Sequence, residues 1–225
     1  MILVFDMDDT LYDEMTFVRS GFKAVAQYMK ATFGVSEEAC YQLMLAELEA
    51  TGRGRIFNRV LEEYGKLTKL HLQKCISTYR LHTPKIQLNA DTLRCFERFK
   101  DHALYVVTDG HKLVQDQKVK ALGLYDLVKK VFITYRYGLK HSKPSPYCFQ
   151  KIAALEKVNP SDIVYIGDNP KKDFVGIKPL GFKTIRIRTG GFKDLEVAPS
   201  HQAHLSIHSL DELTPALLSE LAKIK

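Results

Sequence analysis

The chain has 225 residues, of which 45% are hydrophobic and 26% charged, a balance that supports a substantial core and excludes a disordered protein. The formal net charge of +7 would suit phosphate-bearing partners, but the basic residues are scattered with no run longer than two. No helix-turn-helix or aromatic RNA-binding pattern accompanies them, so nucleic acid is not an expected partner. The four cysteines, at 40, 75, 95 and 148, are too far apart for a Cys-x-x-Cys pair and read as reduced thiols of a cytosolic protein. No apolar stretch approaches the ~20 residues a membrane helix needs, and the first strand begins too early to leave room for a charged leader. The expected location is the cytoplasm.

The first predicted element is a buried strand, Ile2–Phe5, a continuous aliphatic run that ends in Asp6, Asp8 and Asp9. Carboxylates at the end of a core strand are costly unless something pairs with them. From about Glu14 to Lys85 helical patterns follow near 16–32, 36–50, 55–64 and 69–80, punctuated by Gly34, Gly52, Gly54 and Gly65, with no strand candidate. A four-helix stretch of about 70 residues is too long for a crossover, so residues 15–85 are predicted to form an inserted helical subdomain. Residues 1–14 and 86–225 then form the other domain. Its further strands are predicted at Ala103–Thr108, Val131–Thr134, Ile163–Ile166 and Thr184–Ile187, with a weak one at His204–Ile207. Helical patterns at Lys112–Leu122, Pro146–Leu155 and Lys171–Leu180 follow strands, and a terminal helix spans about Leu210 to Ala222. This alternation predicts an α/β fold, a doubly wound parallel sheet covered on both faces.

Four strand ends carry polar signatures. The first gives Asp6 and Asp8, and the second ends Val-Val-Thr108-Asp109-Gly110. Lys143-Pro144-Ser145-Pro146 lies beyond the third, and the fourth ends Gly167-Asp168-Asn169-Pro170 with Asp173 close behind. In a parallel sheet these ends share one side. Clustered carboxylates at neutral pH call for a hard dication, and an oxygen-only set suits Mg²⁺, which shares its shell with phosphate oxygens. A lysine ammonium and a threonine hydroxyl are suitable donors to the remaining phosphate oxygens. Asp6, the deepest acid, is then the natural nucleophile on phosphorus, and Asp8 can protonate the leaving oxygen and later deprotonate water.

With these residues in order, the chain resembles the haloacid dehalogenase-like superfamily of phosphohydrolases. Asp6, Asp8 and Thr10 match its Asp-x-Asp-x-Thr motif, Thr108 its Thr or Ser after an aliphatic run, Lys143-Pro144 its lysine, and Asp168 with Asp173 its terminal acids. The helical insert resembles the family's small cap. The resemblance implies Asp6 as nucleophile and Mg²⁺ ligand, and Asp8 as general acid/base and backbone-carbonyl ligand. It implies Thr108 and Lys143 as phosphoryl holders and Asp168 as metal ligand, with Asp173 either a ligand or the partner that holds Lys143. Members that cleave other bonds lack an acid at the position of Asp8, so the reading narrows to phosphate esters. The expectation is a Mg²⁺-dependent phosphatase acting on a small phosphorylated metabolite, a monomer or homodimer, whose cap closes over the substrate. The alternatives are a sugar phosphomutase and a non-catalytic binding or regulatory protein of the same fold.

Asp109 is a further candidate for substrate binding. Arg53 and Arg55, in a glycine-rich turn, either present guanidiniums to an anionic substrate or are solvated. Tyr12, Phe17 and Phe22 either line a crevice or pack. His111, His201, His204 and His208 read as capping, surface or strand-end residues, and Lys140 is a substitute for Lys143 that Pro144 disfavours. Lys171 and Lys172 read as a solvated pair at a helix start, and Gly190-Gly191 as a turn.

Overall fold

In the computed structural model, which describes residues 1–224, the chain divides into two compact units, Met1–Glu14 with Gln87–Lys225, and Met15–Ile86. The first contains a six-stranded sheet with every strand parallel, in the order β3-β2-β1-β4-β5-β6. The strands are β1 (Ile2–Phe5), β2 (Ala103–Thr108), β3 (Lys130–Ile133), β4 (Ile163–Gly167), β5 (Lys183–Ile187) and β6 (Leu205–Ile207). All four residues of β1 are buried, as the aliphatic run requires of a strand covered on both faces. Ile2 and Val4 face a cluster with Tyr105, Val107, Tyr165, Phe149 and Ile152, while Phe5 meets Phe96 at 5.4 Å between ring centroids.

Helices α1 (Glu14–Phe33), α2 (Glu37–Thr51), α3 (Ile56–Glu63) and α4 (Lys69–Leu81) follow β1. In α1 the buried residues Phe17, Val18, Gly21, Phe22, Val25, Ala26 and Met29 recur at three- and four-residue intervals and form one stripe. That stripe packs with Cys40, Met44, Ile56, Val60, Leu61 and Cys75, so the helical unit has its own core. Ser36 and Thr68 cap α2 and α4 by accepting the amides of Ala39 and His71 at 3.3 and 3.1 Å. Phe22 stands edge-on to Phe57 and tilts against Tyr79, which assigns it to packing within this unit.

The returning chain forms α5 (Ala90–Arg98), which the periodicity does not reveal. Its buried stripe is Thr92, Cys95 and Phe96, only one of them strongly apolar, set among Asp91, Arg94, Glu97 and Arg98. Asn89 N and Thr92 Oγ1 both donate to Leu11 O, at 3.0 and 2.8 Å, tying the outgoing and returning segments together. The remaining helices are α6 (Lys112–Ala121), the single turn α7 (Leu124–Leu127), α8 (Tyr147–Glu156) and α9 (Pro215–Lys223).

Two expectations are corrected. Lys171–Leu180 is not a helix but a series of turns, with a short 3₁₀ segment only at Lys178–Leu180. Pro170 and Pro179 interrupt helical hydrogen bonding there. The Asn169 carbonyl accepts from both Lys172 N and Asp173 N, and Asp173 turns inward instead of facing solvent. Lys171 and Lys172 therefore do not start a helix. The terminal helix is also shorter, because Leu210–Glu212 is a separate 3₁₀ turn and Thr214 caps α9 at Pro215.

The turn after β4 passes so close to the Lys143-Pro144 segment that a Cβ on Gly176 would lie 1.7 Å from Pro144 O. Neither backbone can yield cheaply, so Gly176→Ala is expected to cost at least about 1–3 kcal/mol of stability. Urea unfolding of the variant against wild type measures it.

Candidate active site

The carboxyl ends of β1, β2 and β4 meet at the point where the chain order of the sheet reverses, the crevice at which open parallel sheets bind ligands. Phe5 is in register with both Val106 and Ile166, and Asp6 N donates to Ile166 O at 2.8 Å, so Asp6 leaves the sheet between the ends of β2 and β4. Asp6, Asp168 and Asp173 are all buried, and each offers a carboxylate oxygen within 4.8 Å of the others. Lys143, itself buried, reaches in from beyond β3 through a cis Lys143-Pro144 peptide. Its Nζ donates to Asp6 Oδ1, Asp173 Oδ1 and the Tyr165 hydroxyl, each at 2.8 Å, which uses all three N–H bonds of the ammonium.

One lysine does not balance three carboxylates. Burial, then Lys143 in opposition, then the Asp173 charge leave the Asp6 carboxyl raised to about 6. Burial together with the charges of Asp6 and Asp173 pushes Asp168 up to about 9. Lys143 is driven the other way: burial alone would lower it, but Asp173 and Asp6 hold it charged, well above the ordinary lysine value. An all-oxygen, buried, under-neutralised donor set of this kind fits a small hard dication.

Asp8 lies in different surroundings. Its Oδ1 accepts from Lys118 Nζ at 2.8 Å and from the Tyr12 hydroxyl at 2.5 Å, and its Oδ2 accepts from Gln115 Nε2 at 2.8 Å. Burial would raise this carboxyl, but the Lys118 ammonium and the three hydrogen bonds outweigh it and hold it below the usual value. Two aspartates two residues apart are thus pushed in opposite directions before any cation binds, Asp6 toward the neutral form and Asp8 toward the carboxylate.

Thr108, at the end of β2, is fully buried, and its Oγ1 accepts from Gln115 Nε2 at 2.7 Å. The Asp109 carboxylate is engaged by the protein, accepting from Thr134 Oγ1 at 2.5 Å and from Lys143 N at 3.1 Å. Asp173 Oδ1 accepts from Lys143 and Tyr165, and its Oδ2 from Asn169 N at 2.9 Å. Lys140 is exposed. Arg53 and Arg55 belong to the helical unit. Arg53 borders a cavity of about 340 Å³ with Val18, Phe22, Phe57 and Tyr79, and Arg55 pairs with Glu62 at 3.2 Å.

Asp9 has a structural task that its sequence does not announce. Its φ of 53° is left-handed, and its carboxylate accepts from Glu14 N and Gly191 N at 3.0 and 3.4 Å. Thr189 Oγ1 donates to the Asp9 carbonyl. Gly190 has φ 59°, and a Cβ there would meet Asp9 Cγ at 2.1 Å, so Gly190 permits this close approach of the loop after β5. His204 pairs with Thr184 across the β5–β6 edge, a strand-end role. His111 is exposed at the N-terminus of α6.

Gln115, Lys118, Tyr165 and Thr134 are absent from the residues chosen from sequence. Gln115 and Lys118 sit three apart on a mostly polar helix and read there as a solvated face. Tyr165 hides in the aliphatic run of β4. The one available signal is the i, i+3 spacing on the helix that begins just after Thr108.

The parallel sheet is thus interrupted after β1 by a helical unit and carries acids at the ends of the neighbouring strands β1 and β4. Residues 3–187 match the haloacid dehalogenase-like hydrolase family, and the chain belongs to it. It is 28% identical over 220 residues to glyceraldehyde 3-phosphate phosphatase of Methanocaldococcus jannaschii, covering 94% of each chain. It is 24% identical to N-acylneuraminate-9-phosphatase of Mus musculus, covering 96% of this chain and 93% of that one. A putative hydrolase of the family from Bacillus subtilis, solved with magnesium bound, superposes with a TM-score of 0.68 at 20% identity over 99% of this chain and 98% of that one.

Proposed function

We propose that the chain hydrolyses a small phosphorylated metabolite by way of an aspartyl phosphate on Asp6. It is a phosphoric monoester hydrolase of its family. Carrying the reading is the separation of Asp6, grouped with Asp168, Asp173 and Lys143, from Asp8, held by Lys118, Tyr12 and Gln115. An Asp6 oxygen forms the bond to phosphorus as the ester oxygen leaves and takes a proton from Asp8. Asp8 must enter this step protonated: the carboxylate that accepts from Lys118, Tyr12 and Gln115 in the free site takes up that proton on substrate binding. Asp8 then removes a proton from water as that oxygen attacks phosphorus, releasing inorganic phosphate and restoring the Asp6 carboxylate.

Lys143 and Thr108 are assigned to the phosphoryl oxygens, with Lys143 exchanging one of its three protein contacts for the ligand. Asp173 is assigned to holding Lys143, since Lys143, Tyr165 and Asn169 already engage both of its oxygens. Asp109 is assigned to fixing the Lys143 backbone through its amide. Asp6, Asp168 and the Asp8 carbonyl would hold Mg²⁺, with Asp173 at the edge of the set. When bound, the ion neutralises the carboxylates and the charge of the phosphoryl group. The relatives named as phosphatases of glyceraldehyde 3-phosphate and of an N-acylneuraminate 9-phosphate support a small phosphorylated metabolite as the substrate. Arg53 is the helical-unit residue assigned to anion contact.

A phosphate-release screen across triose and sugar phosphates, nucleotides and phospho-amino acids tests the reading. Isomer formation without free phosphate would favour a mutase, and inertness across the screen would count against the reading. Chelation by EDTA should abolish turnover, and Mg²⁺ should restore it. Without the cation, Asp168 contributes stability that is fully present below the unfolded value of 3.8 and is lost as pH rises through about 9. Cation binding releases that proton, so it should strengthen as pH rises. Thermal stabilisation by Mg²⁺ should be larger at about pH 8.5 than at about pH 6, and a pH-independent shift would contradict the assignment of Asp168.

A further inference from the structure

Helix α6 contributes two buried polar side chains that the proposed reaction leaves without a role. Gln115 and Lys118 are each 3% exposed, although the helix around them is Lys-Leu-Val-Gln-Asp-Gln-Lys-Val-Lys-Ala, a sequence with ample solvent-facing polarity. Burying an amide and an ammonium is costly unless every donor is used. Here the donors converge on one group. Lys118 Nζ lies 2.8 Å from Asp8 Oδ1 and 3.5 Å from Glu14 Oε1, and Gln115 Nε2 lies 2.8 Å from Asp8 Oδ2. The same Gln115 nitrogen reaches Thr108 Oγ1 at 2.7 Å. Thr108 Oγ1 accepts here, which leaves its own O–H available as a donor. Tyr12 closes the ring from the β1 side.

We propose that Gln115 and Lys118 are positioning residues that clamp both oxygens of Asp8 and, through the Gln115 amide, fix Asp8 and Thr108 as one unit. The inference rests on the proposed phosphatase reading. The proton carrier and the phosphoryl-holding hydroxyl then keep a constant separation, and rotation of the Asp8 carboxylate away from the leaving oxygen is prevented. Lys118 acts through Asp8 and Gln115 through Asp8 and Thr108. Neither exchanges a proton with substrate.

The test is kcat/KM across a series of substituted phenyl phosphates, which differ in how much the leaving oxygen needs a proton. Lys118→Met should lose about 100-fold on phenyl phosphate and less than about 5-fold on p-nitrophenyl phosphate. Gln115→Met should show the same steepening with leaving-group acidity on top of a loss common to all the esters, because it also frees Thr108. Lys118→Arg should recover much of the loss. In an Asp8→Asn background, Lys118→Met should cause no further loss, because its effect passes through Asp8. Equal losses along the series, or additive losses with Asp8→Asn, would overturn the inference and mark the pair as structural. Should Lys118→Met fail to fold, the volume-conserving Gln115→Met decides on the same criterion. The two readings fail differently: a wild-type chain that hydrolyses none of the esters overturns both, whereas parallel losses in an active enzyme overturn only the positioning role.

Discussion

Asp6→Asn is expected to lower kcat by about 10⁴-fold or more while leaving the protein folded. The amide keeps the size and shape of the carboxylate but is a far weaker nucleophile and cannot carry the charge a cation needs. The stability side follows from the surroundings. Asp6 is 5% exposed and shares its space with two other acids, and burial with the Asp173 charge outweighs Lys143 to raise it to about 6. Removing that charge relieves repulsion on Asp168 and Asp173, while Lys143 keeps Asp173 and Tyr165. The variant should therefore melt at the wild-type temperature or above it, the pattern of a site whose residues are chosen for chemistry at the expense of stability. Phosphate release from p-nitrophenyl phosphate and a thermal melt together measure both halves. Near-normal turnover in the variant would sink the assignment of Asp6 as nucleophile.

Lys143→Met carries the second large effect, and it falls on stability as well as turnover. The ammonium sits 2.8 Å from both Asp6 Oδ1 and Asp173 Oδ1 and is almost wholly buried. Deleting one partner of a buried ionic cluster costs about 3–5 kcal/mol, because the remaining charges lose their compensation. For a chain of this length, that corresponds to a drop in Tm of roughly 10 °C. The sign with pH is definite. Asp6 and Asp168 already favour protonation in the fold, and losing Lys143 raises them further, so the deficit grows as pH rises and shrinks as the acids take up protons. Denaturant unfolding at about pH 5 and about pH 8 should show the larger loss at the higher pH. A deficit below about 1 kcal/mol at both would mean that Lys143 is not the charge that holds this cluster together.

The legible part of the site was the part written at strand ends. Asp6, Thr108 and Asp168 follow aliphatic runs, and in a parallel sheet the ends of such runs share a side, so their convergence follows from periodicity alone. Lys143 was marked by the proline after it. Asp173 was found as a residue type at a spacing, but its element was misread. Asn169 and two prolines make a turn where apolar spacing alone suggested a helix, and that turn brings Asp173 under Lys143. Helix α5 escaped notice because its buried stripe contains Thr92 and Cys95, which carry weak apolar signal.

Gln115 and Lys118 mark the limit most clearly. Their spacing on α6 is visible in the chain, but so is that of many solvated pairs, and nothing local says which face of a polar helix turns inward. Asp9 is a similar case: beside Asp6 and Asp8 it looks like one more acid, yet it holds the loop of Gly190 and Gly191. The sequence by itself determined the sheet, the helical insertion and the gathering of polar strand ends on one side, because hydrophobic periodicity and strand-end composition are local properties. Only the tertiary structure decided how three carboxylates share one lysine, and which side chains set Asp6 and Asp8 apart. Those outcomes depend on burial and on distances between residues as much as 137 positions apart, and burial acquires a value only once the chain has folded around them.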